Sequence, residues 1–193
     1  MTNLDGKGVR TGLLITTIGG LLFTLDLPLM RLALTDKWTM ICARGVFLFI
    51  SITAVWYLVR KYKGTRLPYI AGGAGIAVAL TNTLANITYI SAIAETNAAN
   101  VVFIIALIPV ITAALSRIFI GERVHPYTWG ATVLSFICVA IIMWEGIHAG
   151  SWFGDALALI SSICTAAAFT IIRASGKNVA TSLAVGSLAS AII

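Results

Sequence analysis

The chain has 193 residues, 59% of them hydrophobic and only 10% charged, and its mean hydropathy is +0.98. A soluble domain of this length cannot hide so much apolar surface, so the composition excludes a soluble enzyme or binding module and points to an integral membrane protein. Thirteen lysines and arginines against seven acids give a formal charge of +6, but no basic stripe or recognition motif supports a nucleic-acid partner.

A helix rises about 1.5 Å per residue, so roughly twenty apolar residues cross a hydrocarbon core about 30 Å thick. The first apolar stretch, Thr11 to Met30, meets that length. It is too long for a signal peptide and has no small-residue cleavage site after it. Asp26 lies deep in it, followed by Pro28, which removes a backbone donor and loosens the helix one turn back, near Thr24. The second stretch runs from about Thr39 to Leu58 and carries Arg44. The third, Tyr69 to Ala94, holds Asn82, Asn86 and Tyr89, whose spacing of four and three puts them on one helix face. Such groups need either a neighbouring helix or a wet cavity. The small residues Ala71, Gly72, Gly73, Gly75, Ala77 and Ala79 earlier in the same stretch suit close helix packing.

The fourth stretch, Ala98 to Phe119, has Pro109 midway, where it frees a carbonyl near Ile105 and kinks the helix, as a static bend or as a hinge. The fifth runs from Tyr127 to Trp144 and the sixth from Phe153 to Ile172. The seventh, Leu183 to Ile193, has eleven residues and is too short to cross. A terminus in mid-bilayer would leave carbonyls and a carboxylate in lipid, so the sequence predicts the front part of a longer protein. The runs are continuous and do not alternate every second residue, which favours helices over barrel strands. The expected fold class is all-α, a polytopic membrane helix bundle with short loops and antiparallel neighbours.

The basic residues set an orientation. Lys7, Arg10, Arg60, Lys61, Lys63, Arg66, Arg117, Arg123, Arg173 and Lys177 all fall on one side, whereas Arg31 and Lys37 fall on the other. The positive-inside rule then places the N-terminus in the cytoplasm. Trp38, Trp129, Trp144 and Trp152 fall at the expected interfaces, and Trp56 near the inner one, as belt anchors do.

Catalytic chemistry has no constellation here. There is no Gly-rich phosphate loop, no paired-carboxylate site and no Ser/His/Asp set, and no cofactor or metal is implied. His125 and His148 fall on opposite membrane faces. Cys42, Cys138 and Cys164 match no zinc or redox spacing and read as small buried hydrophobes. The intramembrane charges are what remain. Asp26 is seven residues from Ala33, and Arg44 is six from Trp38. Both therefore lie roughly 10 Å below the outer surface, at about 1.5 Å per residue. A structural ion pair and a substrate-contacting pair are both compatible with that depth.

The run Thr96-Asn97-Ala98-Ala99-Asn100, then Pro109, then Gly121-Glu122-Arg123, then Trp129-Gly130 resembles the EamA-type domain of the drug/metabolite transporter superfamily. After Gly150, Trp152-Phe153-Gly154-Asp155-Ala156-Leu157-Ala158-Leu159 looks like the opening of that family's second repeat. Asn97 and Asn100 depart from the small or apolar residues common there. The resemblance implies ten transmembrane helices in two five-helix repeats of inverted topology, with both termini cytoplasmic and a site near the midplane. On that reading residues 1–10 are a cytoplasmic N-terminus. Residues 11–146 are the first repeat of five transmembrane helices, and 150–193 start the truncated second repeat. Gly121 suits a helix C-terminus, and Glu122 the N-terminus of the next helix.

The implied function is secondary transport of small organic metabolites, amino-acid-like or drug-like, across the cytoplasmic (inner) membrane by alternating access. Asp26, Arg44, Asn82, Asn86 and Tyr89 are the candidate cavity residues, with Pro28 and Pro109 as hinge candidates. The partners are a small-molecule substrate and the lipid bilayer. A non-transporting membrane assembly or channel-like subunit is the competing reading, and the sequence does not give the oligomeric state.

Overall fold

The computed structural model of the chain describes residues 14, 17–19, 21, 25–32, 36–63, 72–121, 130, 133, 134, 137, 138, 141, 144, 151–176 and 180–192. Apart from caps and turns these residues are helical, and no strand occurs among them. They fall into two units, Met1–Asp36 and Lys37–Ile193.

In the first unit, helix α1 spans Asp26–Leu32. Its first turn holds both Asp26 and Pro28. A proline is tolerated there because first-turn N–H groups have no intrahelical acceptor. Pro28 thus lies near the start of a described helix, and Thr24, where the loosening was expected, is outside the described residues.

The second unit is a bundle. Helix α2 spans Lys37–Lys63, α3 Gly72–Glu95, α4 Ala98–Ile105, α5 Ile108–Ile120, α6 Trp152–Ser175 and α7 Ala180–Ile192. Helices α4 and α5 together form one apolar span, Ala98–Ile120. It is interrupted at Ala106 and Leu107, where the Leu107 N–H turns to Ile104 O at 3.2 Å. Pro109 therefore begins α5, a favoured place for it, instead of bending an unbroken helix. Gly121 and Gly176 end α5 and α6 at φ values of +73° and +58°, the left-handed conformation that glycine adopts without a Cβ penalty. Glu122, Arg123 and Trp129 lie outside the described residues, and those described between 130 and 144 are helical.

Four helical segments among the described residues are long and apolar enough to cross a membrane: Lys37–Lys61, Gly72–Glu95, Ala98–Ile120 and Trp152–Ser175. Polarity is inverted relative to a soluble protein. Phe47, Val55, Phe103, Ile118 and Phe119 face outward, while Thr88, Ser116, Asp155, Ser161, Ser162, Ser187 and Ser190 are buried. In lipid an apolar outer face costs nothing, and polar groups must find partners inside the bundle. The chain is a multi-pass, all-α membrane protein.

Packing centres on α3. Helix α6 lies along it most extensively and also touches α4 and α5, while α7 packs against both α2 and α3. Val78 of α3 and Ala168 of α6 form a buried core with Ile171, Ile172 and Leu183 around it. Small residues permit the closest crossings. A Cβ on Gly186 of α7 would run into the backbone of Ala79, and one on Gly45 of α2 into the carbonyl of Ser187. Hydroxyls add ties: Ser161 Oγ donates to Ala85 O at 2.9 Å, and Ser162 Oγ to Ile104 O at 3.2 Å.

The cysteines depart from expectation. All three are free, but Cys42 and Cys138 are exposed and Cys164 is half-buried. On a bundle whose outer face is apolar, a small soft side chain fits the outside as well as the core. Trp38, Trp144 and Trp152 are exposed, as interface anchors should be. Lys37 sits 5.9 Å over the Trp38 ring at one end of α2, and Arg60 sits 5.2 Å over Trp56 toward the other.

Candidate functional site

Helices α2 and α3 are antiparallel, so depth can be counted from their shared end. Arg44 is seven residues into α2 and Tyr89 six from the end of α3. At about 1.5 Å per residue both lie about 9–10 Å deep. The structure brings them together, with the Arg44 guanidinium carbon 4.9 Å from the centroid of the buried Tyr89 ring. This is a cation–π contact in a water-poor setting, where such contacts are strongest.

The other two residues of the α3 face have different fates. Asn82 is an interhelical tie, its Nδ2 donating to Leu183 O at 3.0 Å and to Ser187 Oγ at 3.2 Å. Its neighbour Thr83 strengthens the same junction through Oγ1 to Gly186 O at 2.9 Å. Asn86, one turn from each, has a buried Nδ2 with no acceptor among the described residues. A buried donor left open in this way calls for an explanation, because desolvation without a partner is unfavourable. Asp26 and Pro28 belong to the first unit, with Asp26 half-buried and Pro28 exposed.

A second polar centre was not singled out from sequence. Asp155, in the first turn of α6, is completely buried. Its Oδ1 accepts from Thr96 Oγ1 at 2.6 Å, and Asn100 Nδ2 donates to Oδ1 at 3.3 Å and to Oδ2 at 3.4 Å. The short Thr96 bond has the length of a charge-assisted one. The N-terminal end of α6 also favours a carboxylate through its dipole. Gly154 brings the helix in so closely that a Cβ there would lie 2.6 Å from Thr96 Cβ and 2.8 Å from Glu95 C. The start of α6 is thus pinned to the α3–α4 turn. Beside it Lys37 and Glu95 approach at 3.6 Å, a half-exposed pair worth little by itself. The available signal was an acid three residues into an apolar helix, together with Asn100, which departs from the usual pattern. Their 55-residue separation hid the link.

No group of three or more His, Cys, Asp or Glu side chains assembles among the described residues as a metal site would need. What the α2–α3 face offers is a cation and an aromatic ring at one depth within the bilayer, with an amide donor about one turn deeper. Groups of that kind are able to orient a small polar molecule.

Comparison with known proteins agrees with this architecture. No curated protein and no solved structure matches the chain. The EamA-like transporter family matches residues 10–144, a span that begins before α1 and runs through the helical residues after α5. The chain belongs to the EamA-like transporter family and is a membrane transporter of the drug/metabolite superfamily.

Proposed function

We propose that the protein is a secondary transporter of small organic metabolites, amino-acid-like or drug-like, working by alternating access in the cytoplasmic membrane. The observation that carries this reading, beyond family membership, is the Arg44–Tyr89 contact at matched depth on adjoining helices, with the open amide of Asn86 one turn away. Residues 11–146 are the first five-helix repeat, and 150–193 begin an inverted second one. Arg44, Asn86 and Tyr89 line the path, and Asn82 holds α7 against it. The break before Pro109 and the turn at Pro28 are where helix segments would swing.

The test is substrate flux in proteoliposomes containing the intact protein, using a panel of small metabolites. A paired substitution sharpens it. If Asp26 and Arg44 serve transport, Asp26→Leu/Arg44→Leu is expected to fold and to lose flux. Full flux in that well-folded double variant would remove both residues from the transport role.

Orientation has its own test. Single cysteines near Lys63 are expected to be shielded from an impermeant thiol reagent in intact cells, and those near Lys37 and His148 to be labelled, given the asymmetry of basic residues. The opposite labelling pattern would invert the topology.

A further inference from the structure

Helices α3 and α7 enclose a cleft of about 220 Å³ that is open along one side. Small residues make the room: Gly75 and Ala79 of α3 and Ala189 of α7 line it, and Ile76 and Leu80 stand exposed along it. It follows α3 from Gly75 to Thr83, eight residues and about 12 Å. The lining is apolar except for two hydroxyls. Thr83 spends its own on Ala79 O and Gly186 O. Ser182 is 1% exposed, and its hydroxyl has no partner among the described residues. A buried hydroxyl of that kind is unfavourable unless something supplies the missing bond. The Ser182 end of the cleft lies near the membrane surface. Helix α6 runs antiparallel to α3, with Gly154 against Thr96 and Ser161 on Ala85, so α6 ends and α7 begins at the level where α3 starts. Helix α3 has 24 residues, so it is about 36 Å long and overreaches a hydrocarbon core of about 30 Å by about 3 Å at each end. Gly75 and Ser182, each in the first turn of its helix, therefore sit close to the boundary between acyl chains and headgroups. The same end of the bundle carries Arg60, Lys61 and Lys63 at the close of α2. The described acids of this unit, Glu95 and Asp155, lie at the other end.

We propose that the cleft holds one acyl chain of an anionic phospholipid, with the ester carbonyl accepting from Ser182 Oγ and the headgroup at the basic end of the bundle. The site is separate from the α2–α3 face and does not depend on the transport reading. Size decides between a chain and a helix. A helix about 10–12 Å across would need roughly 900 Å³ or more over 12 Å. A hydrocarbon chain, whose carbons meet their neighbours at about 3.5–4.0 Å, is roughly 4–5 Å across and fills about 150–240 Å³ over the same length. The cleft has the volume of the chain. Polarity agrees with the fit. An ester oxygen at the boundary supplies the acceptor that Ser182 lacks, and the apolar lining below it needs nothing but methylenes. Clustered lysines and arginines attract an anionic headgroup at the surface.

The test uses the intact protein in phosphatidylcholine vesicles with a trace of phosphatidylglycerol that carries a photoreactive diazirine in its acyl chain. A phosphatidylcholine probe with the same diazirine is run in parallel. After irradiation, peptide mass spectrometry maps the label. The phosphatidylglycerol probe is expected to label residues 75–83 and 182–189 more strongly than Phe47, Phe103 and Phe119, which face outward elsewhere and report ordinary lipid contact. The phosphatidylcholine probe is expected to label the phenylalanines equally and the cleft less. Ala189→Leu fills the cleft and is expected to abolish the label there while keeping it at the phenylalanines. Ser182→Ala removes a hydroxyl that has no partner among the described residues, so its folded yield stays level or rises. Its cleft label is expected to fall about two- to tenfold, the range for one hydrogen bond. If Ala189→Leu does not fold, Ser182→Ala carries the test alone. Label no stronger in the cleft than at the phenylalanines would reduce the site to ordinary lipid contact and overturn the proposal. So would equal cleft label from the two probes, cleft label that survives in a folded Ala189→Leu, or undiminished label in Ser182→Ala. Crosslinks between the α3–α7 faces of two protein copies, in place of lipid label, would give the cleft to a second copy and overturn it as well.

Discussion

Asp155→Ala is expected to lower the stability of the bundle by about 3 kcal/mol, because a hydrogen bond to a buried charged group is worth about 1.5–3 kcal/mol and each buried donor left unpaired costs about 1–3 kcal/mol. The carboxylate is completely buried and takes donors from two other segments, Thr96 in the α3–α4 turn and Asn100 in α4. Removing it takes away the acceptor that both donors share and opens a small void beneath the start of α6. Asp155→Asn should cost less, about 1 kcal/mol, since the amide oxygen still accepts and its nitrogen can turn toward the Thr96 hydroxyl. The measurement is unfolding in mixed micelles by increasing fractions of a denaturing detergent, followed by helical circular dichroism. An alanine variant as stable as the wild type would show that this contact does not hold α6 in place.

Gly186→Val should be at least as damaging, at about 3 kcal/mol or more, near the top of the range for overpacking. The obstacle is backbone: the carbonyl carbon and Cα of Ala79 both lie 3.1 Å from where a Cβ would stand. A flexible side chain could swing aside, but a helix backbone cannot. Helix α7 would have to lift from α3 and release the hydrogen bonds from Asn82 to Leu183 and Ser187 and from Thr83 to Gly186. The same unfolding measurement applies, with protease sensitivity of the 176–193 segment as a local readout. A valine variant with wild-type stability and unchanged protection would mean that the crossing is looser than the structure shows.

Much of the fold was legible in the sequence because apolar length alone decides what can cross a bilayer. The stretch from Thr39 to Leu58 became α2, Lys37–Lys63, and Phe153 to Ile172 became α6, Trp152–Ser175. The extra turns are polar or aromatic residues that helix geometry keeps and hydropathy leaves out. The α3 face of Asn82, Asn86 and Tyr89 was legible from helical period, but not its division of labour. Asn82 is spent on a helix a hundred residues away, a partner that no local pattern reveals. Asp155 was hidden for the same reason. The fourth stretch was expected to kink where Pro109 frees a carbonyl near Ile105, and the helix breaks there, at Ala106 and Leu107. Cys42 and Cys138 were misplaced because apolar character was taken to mean interior, a link that a lipid environment breaks.

The close seat of α7 bears on how the protein is made. Its thirteen residues include Thr181, Ser182, Ser187 and Ser190, all buried against the rest of the bundle. Ser187 Oγ donates within its own helix to Leu183 O at 2.9 Å and also receives Asn82 from α3. A helix with so many hydroxyls gains little by entering lipid alone. It becomes favourable only when α2 and α3 already present the groove with Gly45 and Ala79 at its floor. Membrane integration of this segment is therefore conditional on earlier ones, and a translating ribosome must have delivered and paired the second and third spans before the α7 segment leaves the insertion machinery.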